Sequence, residues 1–305
     1  MKKVVDNSTI GIISPAWIPV DKRMQRGLKY LEKKGFAVKK GEYVGKTHGY
    51  FAGTDKERLD DLHQMYKDPD VDLIICARGG WGGLRLVNRI DYNLIINNPK
   101  LLVGYSDITT LQLAIWTKAK IPSLSGPMVG VEMGKGIHSF TEQHFWNQVL
   151  NIDPQYIFNY SETDTIELNG GKAEGILLGG CLSLVSHLLG TAFSPNYSGS
   201  ILFLEDVGEQ PYKIDRYFAH LKQAGVFDQI HGLILGNFID CDPEEGQVSF
   251  NIDEIIEDYI SELSYPVIKN FPYGHGDKKF SMPIGVETVL DTNHSELRLG
   301  NLFQY

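Results

Sequence analysis

Residues 101–116, LLVGYSDITTLQLAIW, pass from an unbroken apolar run through Gly-Tyr-Ser-Asp into a second apolar run at helical spacing. Their reading decides the fold. A short apolar strand that turns sharply into a helix is the half-unit of a parallel β-α-β sheet. Ser106 sits at the turn. Its hydroxyl suits two roles, a helix N-cap accepting from an orphan backbone N–H or a nucleophile held on a strand-to-helix turn. The segment alone leaves both open.

The pattern repeats on either side. TIGIISPA (9–16) reads as a strand, KRMQRGLKYLEKKGF (22–36) as a helix closed by Gly35, and VDLIICARGG (71–80) as a buried parallel strand running into glycines. Between them, Thr54 and Glu57 have capping-box spacing ahead of Leu59, Leu62, Met65 and Tyr66. Ser139 and Glu142 have the same spacing before a helix ending near Leu150. Repeated β-α-β units predict an N-terminal parallel sheet with helices on both faces, flavodoxin-like or amidotransferase-like, over residues 1–150. The Asn-, Asp- and Gly-rich stretch at 151–170 reads as a linker. Residues 171–305 then read as a smaller mixed α/β domain ending in a hairpin, VETVLDT and SELRLG.

Composition narrows the function classes. A net charge of −9 over 305 residues argues against a broad nucleic-acid surface, which needs clustered Lys and Arg. No apolar run reaches membrane-spanning length. The start, MKKVVDNSTI, is interrupted by Asp6 and Asn7 and forms no signal-peptide core. Three scattered cysteines (Cys76, Cys181 and Cys241) suit a reducing compartment and make neither a disulfide framework nor a zinc site. The expectation is a cytoplasmic protein acting on a small molecule, with monomer and homodimer both open.

Ligands of open parallel sheets bind beyond the carboxyl ends of the strands. That places the ARGGWGG loop (77–83) beside the Ser106 turn. Gly79, Gly80, Gly82 and Gly83 let backbone N–H groups approach an anion or oxyanion, or else serve a tight turn. No Walker lysine follows, and the spacing is not a dinucleotide fingerprint. A serine nucleophile needs a base and an orienting group. His275, between glycines in FPYGHGDKKF and outside any periodic pattern, is the histidine best placed to reach a cleft. Glu205, at the carboxyl end of the apolar strand ILFLED, is the candidate orienting carboxylate. Asp206 and Glu209 compete with it but read as loop residues or the start of a helix. Cys76 lies inside an apolar strand and reads as core. Nucleophile and base fall in different expected domains, so their approach depends on how the domains dock.

Six blocks, CARGGWGGLRLV, VGYSDITTLQLA, GPM, EGILLGGCLSLVSHLLGT, LFLEDVGEQPYKIDRYFAHLKQAGVFDQIHGLILGNF and PYGHGDKKFSMPIG, resemble the LD-carboxypeptidase family in order and spacing. These are serine peptidases of bacterial murein recycling, with microcin-immunity peptidases among their relatives. The resemblance covers nearly the whole chain. It implies Ser106 as nucleophile, His275 as base and Glu205 as orienting carboxylate. An oxyanion hole would come from the Gly80 and Asp107 amides, and no metal or organic cofactor would be needed. The implied substrate is a murein tetrapeptide losing terminal D-alanine. The rivals are a peptidyl-nucleotide antibiotic or, in another class, a non-catalytic peptide-binding module. One position departs from the family: Cys181 stands where asparagine is usual. An exopeptidase must also hold its substrate's free carboxylate. Arg78 and Arg85, flanking the glycine loop, are the candidates, each with an equal reading as a structural ion-pair partner.

Overall fold

The computed structural model describes residues 1–153 and 155–304, so Pro154 and Tyr305, which fall in the expected linker and second domain, lie outside it. The chain divides into two compact units. The first holds Met1–Pro154, Phe280–Gly285 and Asn301–Tyr305; the second holds Gln155–Lys279 and Val286–Gly300.

In the first unit the elements run β1 (Thr9–Ile13), α1 (Asp21–Lys33), β2 (Ala37–Lys40), α2 (Asp55–Lys67), β3 (Leu73–Cys76), α3 (Tyr92–Asn97), β4 (Leu101–Gly104), α4 (Ile108–Ala119), β5 (Ser123–Ser125) and α5 (Ser139–Val149). The strands order β2-β1-β3-β4-β5, all parallel, which is the flavodoxin-like order expected from the repeats. The β3 and β4 strands are buried at every residue because helices flank the sheet. The Thr54–Glu57 capping box forms: Thr54 N–H donates to Glu57 Oε2 at 2.7 Å, and Glu57 N–H donates to Thr54 Oγ1 at 3.2 Å. The expected Ser139–Glu142 box does not. The helix starts one residue earlier, His138 Nδ1 accepts the Phe140 N–H, and Glu142 is drawn to Lys34 and the Tyr30 hydroxyl, each at 2.7 Å.

The second unit carries an eight-stranded mixed sheet. Its elements are β6 (Tyr156–Asn159), β7 (Ile166–Asn169), β8 (Lys172–Cys181), α6 (Leu182–Leu188), β9 (Ile201–Val207), α7 (Pro211–Gln223), β10 (Gly232–Ile239), α8 (Ile252–Ile260) and β11 (Val267–Lys269). The chain then supplies β12 (Met282–Ile284), and returns as β13 (Glu287–Asp291) and β14 (Glu296–Leu299). The order is β6-β14-β13-β8-β9-β10-β11-β7. Strand β8 joins its two halves, since Lys172–Ile176 pair antiparallel with β13 while Leu177–Cys181 pair parallel with β9. The expected C-terminal hairpin is β13–β14.

Two boundaries differ from expectation. The stretch read as a linker contains β6 and β7, which form the two edges of the second sheet; short, mostly solvent-facing edge strands lack the apolar run that marks buried ones. Strand β12 pairs antiparallel with β5 at the edge of the first sheet, so a segment of the expected second domain completes the first. A three-residue strand carries no periodicity that would announce its partner.

Candidate active site

The Ser106 turn belongs to the first unit. Strand β4 ends at Gly104, and α4 begins at Ile108 with Asp107 as its N-cap residue. No side chain caps this helix, so the N-cap reading of Ser106 is set aside. Instead Ser106 has φ 62°, in the left-handed region, where a residue bearing a Cβ is uncommon and costs backbone energy. A turn of this kind lifts a side chain off the end of a strand. The glycine loop packs directly against it: a Cβ at Gly79 would stand 3.0 Å from Ser106 Cβ and 3.2 Å from its Oγ. Neither the Gly80 nor the Asp107 amide donates to a protein acceptor among the described residues.

Asp107 ties the two segments together. Its side chain is fully buried, and Oδ2 accepts the Gly83 N–H at 2.7 Å. Burial pushes this carboxyl up to about 6, opposed by the Gly83 and Gly82 amides and by the Arg58 charge. Arg58 is itself buried. It donates to the Pro15 carbonyl and, at 2.6 Å, to Asp55 Oδ1, with its guanidinium 4.5 Å from the Phe51 ring centroid. Arg58 is not among the residues that the sequence motifs single out. The available signal was a charge one turn before Leu62 on the apolar stripe of α2.

The two candidate arginines behave differently. Arg85 forks onto Asp55, with Nε at 3.0 Å from Oδ1 and Nη2 at 2.9 Å from Oδ2. Arg78 has no carboxylate partner among the described residues; it donates to the Ile18 carbonyl at 3.2 Å and lies over the Trp17 ring.

The second unit brings Glu205 and His275 together. Glu205 lies within the buried run of β9, fully enclosed, and its Oε2 stands 2.7 Å from His275 Nδ1. A carboxylate only accepts, so Nδ1 carries the proton and Nε2 of the neutral ring keeps a lone pair. The loop bearing His275 is pinned to β10 by Asn237 N–H donating to the Tyr273 carbonyl at 2.9 Å. Gly274, at φ 118°, leaves room for this approach: a Cβ there would stand 2.7 Å from Glu205 Oε2. The competitor Asp206 is not a loop residue but a buried member of β9. It accepts the Ser183 and Val207 N–H groups at 2.8 and 2.9 Å, holding the start of α6. Glu209 pairs with Lys213 just ahead of α7. Cys181 fills a polar contact, 3.3 Å from both Asp206 Oδ1 and Ser183 Oγ. Cys76 is fully buried in β3, and burial pushes its thiol up.

Comparison with known proteins adds an independent line. Residues 10–126 match the LD-carboxypeptidase N-terminal domain, and residues 174–290 the C-terminal domain of the same family. The chain belongs to the LD-carboxypeptidase family. A probable murein peptide carboxypeptidase of Bacillus subtilis is 36% identical to this LD-carboxypeptidase over 292 residues, covering 95% of this chain and 91% of its own. The crystal structure of a muramoyltetrapeptide carboxypeptidase from Oxalobacter formigenes superposes with a TM-score of 0.87 at 30% identity, covering 96% of this chain and 99% of its own. The structure of the microcin-immunity protein MccF bound to glutamyl sulfamoyl guanosine superposes at 0.89 with 25% identity, covering 98% and 97%. Among the described residues no helix is long and apolar enough to cross a membrane. Nor do three or more His, Cys, Asp or Glu side chains there converge as a metal site.

Proposed function

We propose that this LD-carboxypeptidase is a cytoplasmic serine peptidase that hydrolyses the amide between an L-configured centre and a terminal D-alanine in murein tetrapeptides. The observation that carries the mechanism is the buried Glu205 holding His275 by Nδ1, which leaves Nε2 as the proton acceptor. In this reading His275 takes the Ser106 proton as Oγ adds to the scissile carbonyl. The developing oxyanion is held by the Gly80 and Asp107 amides, each such donor contributing about 3 kcal/mol. His275 then returns the proton to the departing D-alanine nitrogen as the C–N bond breaks. Water, deprotonated by the same ring, opens the acyl-serine ester and restores Ser106. Arg78 supplies the positive charge for the substrate's free carboxylate, and Arg85 is held by Asp55.

A second reading has its own support: the likeness to MccF bound to a sulfamoyl nucleoside favours an aminoacyl-nucleotide substrate. One experiment decides between them. Purified protein is given the murein tetrapeptide and, separately, an aminoacyl-sulfamoyl adenylate, and products are followed by mass spectrometry with an enzymatic assay for D-alanine. Release of D-alanine with the adenylate untouched supports the recycling reading. Turnover of the adenylate alone overturns it. Turnover of neither, with Ser106 unreactive to a fluorophosphonate, favours the non-catalytic module.

A further inference from the structure

We infer that the Asp107 carboxylate is a positioning residue that sets the spacing of the oxyanion hole, an inference resting on the serine-peptidase reading above. The two proposed donors belong to different segments, Gly80 to the loop after β3 and Asp107 to the turn after β4. Backbone amides on separate loops stabilise a transition state only if their separation is fixed before charge develops. Asp107 supplies that connection from one residue. Its main-chain N–H is one donor of the hole, while its side-chain Oδ2 reaches across to accept the Gly83 N–H at 2.7 Å, three residues from the other donor. The Gly82 amide also favours the charged form of the same carboxylate.

The arrangement is costly and therefore informative. A fully buried carboxylate is tolerated only where charge and hydrogen bonds compensate it. Here the compensation comes from the loop amides and from Arg58, itself buried and anchored to Asp55 and the Pro15 carbonyl. Oδ1 has no hydrogen-bond partner among the described residues, so the hydrogen bond that offsets the group's burial, Gly83 N–H to Oδ2, runs to the glycine loop. An N-cap role would have turned the side chain onto its own helix, and it does not.

The position predicts which substitutions matter. Asp107→Ala removes the acceptor, whereas Asp107→Asn keeps an oxygen that can take the loop amides. Both full-length variants are compared with wild type for steady-state turnover of the tetrapeptide, for affinity toward a peptidyl boronate, and for amide hydrogen exchange in the peptide spanning 79–83. Asp107→Ala is expected to lose about 100-fold in kcat, comparable to losing one oxyanion donor, with KM held within about twofold by the same reasoning. Boronate affinity falls in parallel, exchange in the loop accelerates, and Asp107→Asn recovers most of each. If Asp107→Ala does not fold, Asp107→Ser, whose shorter side chain falls short of Gly83, takes its place. A folded Ala or Ser variant with wild-type kcat and unchanged loop exchange overturns the inference, as does an Asn variant no better than Ala. Loop exchange reports on positioning without any substrate. If Ser106→Ala keeps full activity, the serine reading fails while the exchange data still judge the strut.

Discussion

His275 Nδ1 lies 2.7 Å from Glu205 Oε2, and the glutamate side chain is fully buried. The pair sets the tautomer of the ring, and the other Glu205 oxygen has no hydrogen-bond partner among the described residues. Replacing Glu205 by Gln keeps the shape and removes the charge that stabilises an imidazolium. Turnover is expected to fall by roughly 10³–10⁴-fold, with the fold intact by circular dichroism. Ser106→Ala and His275→Ala should each fall at least as far, because nucleophile and base act as one unit. Near-wild-type turnover in folded Ser106→Ala would remove the proposed nucleophile.

In the proposed mechanism, recognition of the free carboxylate separates the two arginines. A charge-assisted hydrogen bond is worth about 1.5–3 kcal/mol, or roughly 10- to 100-fold in preference for the acid over its C-terminal amide. Arg78→Met should erase that preference. Arg85→Met should leave the acid-to-amide ratio within about threefold, since Arg85 is already forked onto Asp55 and its exposed pair contributes only about 0–1 kcal/mol to stability. Equal cleavage of acid and amide by the wild type would withdraw Arg78 from substrate binding.

Burial, and secondarily the neighbouring Glu205 charge, pushes Asp206 from 3.8 up to about 6. Because the folded-state value lies above the unfolded one, the stabilising contribution of the neutral carboxyl is complete below about pH 4. It is lost as pH rises through about 6. Asp206→Asn cannot ionise and is spared this loss. Whatever its constant cost in hydrogen bonds, the variant should gain on the wild type between pH 4 and pH 7 by up to about 3 kcal/mol. Urea unfolding of both proteins across that range measures the difference. A pH-independent difference would show that Asp206 titrates normally.

All three cysteines are buried thiols. Burial pushes each upward, Cys241 to about 11, which suppresses the reactive thiolate. Native protein should therefore show no fast thiol titration with a disulfide reagent, and the urea-denatured chain should show three. Iodoacetamide should leave activity unchanged. Rapid alkylation with loss of turnover would point to a thiol in the chemistry and away from Ser106.

The sequence by itself determined the buried strands β1, β3 and β4 of the first sheet and β9 of the second, because buried strands are continuous apolar runs and their helices carry 3.6-residue stripes bounded by caps such as Thr54–Glu57. It also singled out Ser106, Glu205 and His275, whose chemical types at strand ends and between glycines fit no packing pattern. Tertiary structure alone decided the rest. Whether Ser106 capped its helix depended on backbone dihedrals, and φ 62° with an uncapped α4 answered it. The hydrogen bond between Glu205 and His275 joins residues 70 positions apart, a pairing no local period encodes. The split between Arg85, taken by Asp55, and Arg78, with no carboxylate partner among the described residues, depended on where α2 packs. Strand β12 belongs to the first sheet although its sequence follows the second. Apart from the Ser106 dihedral, the deciding free energy lies in contacts between distant segments, which exist only once the chain has folded.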